Sequence, residues 1–181
     1  MKKLFYILAF ISLNAISQNK YITKTGTVNF EASVPSFEEV KASNNAVTAI
    51  INTENGEFAA LVLVKGFRFK NALMEEHFNE NYAESSTHPK ATFKGSVEGF
   101  KMGAYASETE VVAVGKMTIH GVEKDVKIPG TLKKDGDTYH INAKFNVKPE
   151  DYKIEIPNTV RNNIAKEMAV TIDAKLGPLT K

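Results

Sequence analysis

From Tyr21 almost to the C-terminus, apolar residues recur at a spacing of two. That period puts alternate side chains on opposite faces of an extended strand, so each segment has one face to bury and one to leave in water. TVNFEASV alternates Val28, Phe30, Ala32 and Val34 with polar residues. AVTAIINTENGEFAALVLVKGFRF is an apolar run, an Asn55-Gly56 turn and a second apolar run. Asn-Gly readily takes the positive φ of a tight turn, so the pair reads as a hairpin. In the second run a continuous patch over residues 61–64 gives way to alternation at Phe67 and Phe69, and Gly66 at the join predicts a bulge. KATFKGSV places Ala91, Phe93 and Val97 in a strand. VVAVGKMTIHGVEKDVKIPGTL is a strand, a tight turn and a strand, with Met117 and Ile119 facing the same way as Val126 and Ile128. After an Asp135-Gly136 turn, Tyr139, Ile141, Ala143, Phe145 and Val147 are in phase, and Met168, Val170, Ile172, Ala174 and Leu176 make the final strand.

One segment departs from this period. NALMEEHFNENY spaces Leu73, Met74, His77, Phe78 and Tyr82 by threes and fours, which predicts a short helix capped by Asn71. The total is about eight strands joined by short turns, hence an all-β, antiparallel sheet with one apolar face. Such a sheet must pack on a second sheet or close on itself, and one helix is too little cover. A closed antiparallel barrel with the helix over one end is the preferred architecture, and a two-sheet sandwich is the alternative.

The N-terminus, MKKLFYILAFISLNAISQNK, sets two lysines before an apolar run and then small residues at Ala15 and Ser17. This is the pattern of a cleavable signal peptide over residues 1–17, leaving one domain over residues 18–181 in the periplasm or outside the cell. The run of about ten apolar residues is too short to span a bilayer, where ~20 are needed. There is no cysteine, so neither a lipid anchor nor a disulfide is available, and stability must come from a core. Loss of Lys2 and Lys3 brings the 23 basic residues level with the 21 acidic ones, which gives no charge excess to favour nucleic acid or an anionic membrane.

Four segments together resemble the YceI-like family of lipocalin-like, polyisoprenoid-binding exported proteins: MEEHFNENYAESSTHPKATFKGSV, GKMTIHGVEKDVKI, FNVKPEDYKIEIP and TGTVNFEASV. The second is similar to the family's Gly-x-Leu-x-Leu-His-Gly-Val-x-Lys hairpin, with Met117 and Ile119 in the aliphatic places, and the order and spacing of the four carry the likeness. The resemblance implies a lipocalin-like barrel whose apolar channel holds the tail of an isoprenoid lipid or quinone. It implies no enzyme activity and no cofactor.

By strand phase, the expected channel wall is Phe30, then Leu61, Leu63, Phe67 and Phe69, then Phe93, Met117 and Ile119. On the later strands it is Val126, Ile128, Tyr139, Ile141, Phe145, Val170 and Ile172, with Ala91, Ala113, Ala143 and Ala174 giving space. Leu73, Met74, His77 and Phe78 are the expected lid, with Glu75, Glu76 and Glu80 solvated. An alternative reading makes His77 and Glu80, three apart on the helix, two ligands of a metal-assisted hydrolase or oxidoreductase, with His88 as a third. The order is wrong for His-Glu-x-x-His, and no Gly-x-Ser-x-Gly elbow, phosphate loop or cysteine nucleophile is present. His120, beside the expected turn Gly121-Val122-Glu123-Lys124 and out of phase with Met117 and Ile119, is expected to fix that turn by hydrogen bonding. A third reading is an interaction protein with a filled barrel. A homodimer is among the assemblies the sequence leaves open.

Overall fold

Each segment with a period of two is a strand in the computed structural model, which describes residues 19–179. The expected signal peptide, residues 1–17, lies outside the described residues. In chain order the elements are β1 (Lys20–Ser33), β2 (Lys41–Asn52), β3 (Glu57–Leu63), β4 (Arg68–Phe69), α1 (Ala72–His77), β5 (Lys90–Val97), β6 (Thr109–Ile119), β7 (Val122–Asp135), β8 (Thr138–Val147) and β9 (Ile164–Pro178). Antiparallel pairing runs β1-β9-β8-β7-β6-β5-β3-β2, and β1 pairs with β2 to close the ring. The fold is therefore a closed barrel of eight strands, and not a sandwich. The short β4 continues the β3 position along β2, pairing Ala42 with Phe69 and Ser43 with Arg68 on the side of β2 away from β1.

The inward side chains form two clusters. At one end Ala49, Ile51, Val97, Leu132, Tyr139, Ala174 and Leu176 are buried together, and the connection after β5 brings Tyr105 across them. Tyr21 meets Tyr139 edge-on with ring centroids 4.7 Å apart. This end is solid. Toward the other end Val28, Phe30, Phe67, Phe93, Met117, Ile128 and Val170 belong to a second cluster that encloses open space.

Both β1 and β2 change phase midway. The inward residues of β1 pass from Thr23 to Gly26 and Val28, and those of β2 from Asn44 to Val47, with register shifts on either side of Gly26. Side chains crowd there: a Cβ on Gly26 would lie 3.3 Å from the Cβ atoms of both Val47 and Ala174. Asn44, buried at this irregularity, donates from Nδ2 to the Leu63 carbonyl at 2.9 Å and accepts from Ala46 N at 2.9 Å. With both ends of its amide bonded, its burial carries little penalty.

Two expectations about local backbone are corrected. Residues Val64–Gly66 form one turn of 3-10 helix where a bulge was expected, and it changes which parity faces inward. Phe58, Ala60, Val62 and Val64 point in before it and Phe67 after it, so Leu61 and Leu63 lie on the outer face, Leu63 with 49% exposure. A run that is apolar on both faces has no alternation from which to read its phase. The β6–β7 turn is His120-Gly121, at φ 50° and 73°, a tight hairpin turn of the kind that matches strand twist. The sequence reading had placed that turn over Gly121 to Lys124.

Denaturation in urea separates the two faces. Ile51→Ala is expected to cost about 2–5 kcal/mol and Leu63→Ala no more than about 0.5 kcal/mol, and equal losses would overturn this assignment. Burial, and then the neighbouring Tyr21 and Tyr105, hold the Tyr139 hydroxyl above its ordinary pKa of 10.0. Folding therefore favours the neutral phenol. That contribution is complete below pH 10, is lost as pH rises from there through the folded value, and Tyr139→Phe should flatten the alkaline decline in stability.

Candidate ligand-binding channel

The open half of the barrel holds a cavity of ≈ 210 Å³. Its wall takes Phe30 from β1, Phe58, Ala60 and Val62 from β3, Phe93 from β5, and Ala113, Met117 and Ile119 from β6. Ile128 of β7, Ile141, Ala143 and Phe145 of β8, and Val170 and Ile172 of β9 complete it. A second cavity of ≈ 380 Å³ lies under α1, between the helix, Phe37 and the segment carrying Ile154 and Ile156. Phe30, Phe78, Ala83, Ile154 and Met168 line both, so the two spaces meet at a neck.

Aromatic rings make that neck. Phe30 stands 5.2 Å from Phe67, 5.7 Å from Phe69 and 5.5 Å from Phe78 between ring centroids, and Phe69 is 5.1 Å from Phe78. Phe78 arrives from the helix. Asn71 caps α1 as expected, its Oδ1 accepting from Leu73 N at 2.9 Å and Met74 N at 3.4 Å, and the chain continues as a π turn over Phe78–Tyr82. Glu75 was expected to be solvated with Glu76 and Glu80. It instead turns back onto β4, where its carboxylate accepts from Arg68 Nη1 at 2.9 Å and from Phe69 N at 3.1 Å.

Ten of the sequence candidates line the inner cavity: Phe30, Phe67, Phe93, Met117, Ile119, Ile128, Ile141, Phe145, Val170 and Ile172. Val126 packs against the same cluster, Tyr139 sits in the closed end, and Phe69 lines the mouth. All four small residues, Ala91, Ala113, Ala143 and Ala174, border the space. Of the lid, Leu73, Met74, His77 and Phe78 line the mouth, yet Leu73 is 57% exposed and His77 is exposed as well, so Phe78 alone reaches the neck. Phe58, Ala60 and Val62 were missed. The hairpin is centred on Glu54 and Asn55, one residue before the expected Asn55-Gly56 turn, and sets Ile51 opposite Phe58 and Ala49 opposite Ala60, so the inward phase of β2 carried the signal for β3.

The wall also contains a seam. Pairing between β7 and β8 runs from Asp135 with Thr138 to Gly130 with Ala143 and stops there. Above it, residues 122–129 pair with β6, while residues 144–147 pair with β9. At the rim, Lys124 Nζ bridges to Asp151 Oδ1 at 3.0 Å, and His120 Nδ1 donates to the Tyr152 carbonyl at 3.2 Å. His120 thus ties its turn to the segment after β8. The metal-ligand grouping of His77 and Glu80 does not form: among the described residues the three-membered group is Glu84, His88 and His120.

The family pattern described as the YceI-like domain matches residues 20–176. The chain belongs to the YceI-like family. Solved structures agree in fold. A polyisoprenoid binding domain from Saccharophagus degradans, implicated in plant cell wall breakdown, is 15% identical, with a TM-score of 0.75 over 89% of this chain and 99% of that one. BcnA of Burkholderia cenocepacia is also 15% identical, with a TM-score of 0.70 over 84% of this chain and 96% of that one. The Campylobacter jejuni YCEI protein is 13% identical, with a TM-score of 0.59 over 79% and 88%. No curated protein matches the chain in sequence. The YceI-like match runs from Lys20, the first residue of β1, to Leu176 in β9, and so includes both cavities.

Since Glu75 supplies both anchors between the helix and β4, Glu75→Ala should speed amide hydrogen exchange across residues 72–82 on the order of tenfold. The barrel strands should keep their protection. Uniform acceleration in every element would show that the clamp acts on the whole fold.

Proposed function

We propose that this YceI-like chain is an exported, non-enzymatic carrier that holds the tail of an isoprenoid lipid or isoprenoid quinone in its barrel. The observation that carries the reading is a nearly wholly apolar cavity, closed at one end by packed side chains and reached at the other through a neck of phenylalanines. A blind apolar channel takes a tail first and leaves a polar head at the mouth. There His77 lines the outer cavity and His120 the inner one. Membership of a family that includes a polyisoprenoid binding domain supports the ligand class, and the lysines and apolar run of residues 1–13 support export.

Magnitudes favour binding over discrimination. Burial contributes roughly 0.8 kcal/mol per CH₂, so several isoprene units outweigh the cost of association. One methylene more or less changes the result by only ~1–3 kcal/mol. The channel therefore selects a class of lipid.

Organic extraction and native mass spectrometry of the purified protein test this reading. A polyprenyl lipid or quinone present at one per chain is the expected result. Ala143→Phe, which fills the channel, should cut retention at least tenfold, while Leu63→Ala on the outer face should leave it unchanged. A clean apo mass that persists after incubation with polyprenyl phosphates and with quinones would overturn the proposal.

A further inference from the structure

At the rim beside the neck three side chains come together, of which the carrier reading uses only His120, as part of the cavity wall. Glu84 Oε2 lies 2.8 Å from His120 Nε2 and 3.9 Å from His88 Nε2, and the two imidazoles stand 4.2 Å apart between centroids. The three ligand atoms all fall within 4.8 Å of one another. We propose that Glu84, His88 and His120 bind a divalent transition-metal ion of the zinc class. The donor set is complete without any group from a channel occupant, so the site stands whether or not the carrier reading does.

His120 carries the chemical argument. Both neighbours of the ring can only accept, the Tyr152 carbonyl 3.2 Å from Nδ1 and the Glu84 carboxylate 2.8 Å from Nε2, and a neutral imidazole has one proton for the two. With that proton on Nδ1, the Nε2 lone pair points at the Glu84 carboxylate. Two acceptors 2.8 Å apart repel unless something positive lies between them, either a second ring proton or a metal ion. A backbone carbonyl behind the distal nitrogen is also the arrangement that orients histidines at metal sites. The nearby His88 is a second nitrogen donor facing the same carboxylate, and a simple ion pair between Glu84 and His120 gives it no role.

The geometry needs small movements. A tetrahedral ion with bonds of 2.0–2.1 Å holds its ligand atoms roughly 3.3 Å apart, against 2.8 Å and 3.9 Å from Glu84 to the two histidines and no more than 4.8 Å between the histidines here. Two imidazoles and one carboxylate suit zinc and its neighbours, whereas calcium and magnesium prefer oxygen. With His120, His88 and Glu84 side chains 11%, 27% and 52% exposed, the site is open to water for a fourth ligand.

Unusual backbone converges on the same point. Glu84 and His120 are non-glycine residues at φ 42° and 50°, and such conformations persist where surrounding contacts impose them. The Glu84 carbonyl accepts from both Thr87 N and His88 N at 2.8 Å, which fixes the turn that presents His88. A Cβ on Gly121 would lie 2.9 Å from His88 Cε1, so the hairpin turn leaves just enough room for that ring.

Calorimetric titration with zinc of the full chain, purified without a histidine tag and stripped by chelator, tests the site. One ion per chain is expected. Glu84→Gln and His88→Ala should each weaken binding at least tenfold. His140→Ala, which alters a histidine paired with Asp173 elsewhere on the barrel, should leave it unchanged. His120→Asn, chosen because asparagine tolerates positive φ, should also weaken it, with the fold checked by circular dichroism. Cobalt in place of zinc should give the visible spectrum of a tetrahedral site. Absence of stoichiometric binding, or binding indifferent to both Glu84→Gln and His88→Ala, would overturn the proposal. So would nitrogen NMR showing protons on both His120 ring nitrogens in the presence of excess zinc.

Discussion

Closure of β1 onto β2 governs what the barrel can contain. A one-faced sheet buries its apolar side by curling until its ends meet, and here the meeting strands both change phase near Gly26 and Val47. Below that level Ile51, Leu132, Tyr139 and Leu176 fill the interior, and above it the wall encloses space. With no cysteine to form a disulfide, the packed end must supply much of the stability. The hollow end works against it. By the slope of ~24 cal/mol per Å³ that cavities left by core truncation follow, unpacked space of ≈ 210 Å³ forgoes on the order of 5 kcal/mol of packing, within the range of the 5–15 kcal/mol net stability of an ordinary domain. Occupation of the channel would recover part of that cost, so a chain of this design gains from staying loaded.

The helix beside the channel mouth is weakly held. None of the residues of α1 or of the π turn after it is buried, and a segment with so little buried surface opens more readily than the strands beneath it. Its attachments are few. Phe78 stands among Phe30, Phe67 and Phe69, and Glu75 grips β4. Aromatic neighbours contribute by contact, without demanding one geometry, so this cluster can part and close again at modest cost.

Strand existence, closure and the capped helix were legible because each follows from local spacing. Val170 and Ile172, or Ile141 and Phe145, alternate cleanly with polar residues and face the cavity as expected. Leu61 and Leu63 do not alternate with anything polar, and the 3-10 turn at Val64–Gly66 that sets their phase leaves no periodic trace. Ile154 and Met168 line both cavities although one lies in an irregular segment and the other at the end of the β8–β9 register. The ligand class was never in the periodicity and came from the family likeness. The hydrogen-bonding role expected of His120 is present, but its partners, Glu84 and Tyr152, lie 36 and 32 residues away in sequence, beyond the reach of any local pattern.

His120 also joins the two halves of the functional argument. Through Tyr152 it holds the segment that brings Ile154 to the neck, and through Glu84 it meets the stretch of chain that supplies Phe78 and Ala83. That stretch is internally braced: Ala83 N donates to the Phe78 carbonyl and Ser85 N to the Asn79 carbonyl, both at 2.8 Å. The rim cluster and the neck therefore share one backbone, from Phe78 through His88. Any ligand at the rim that prefers one arrangement of this stretch shifts the neck by the same free energy with which an occupant of the neck shifts the rim, because binding linkage is reciprocal. Charge at the rim and apolar contact at the neck act on one short segment, so a change in either is felt by the other.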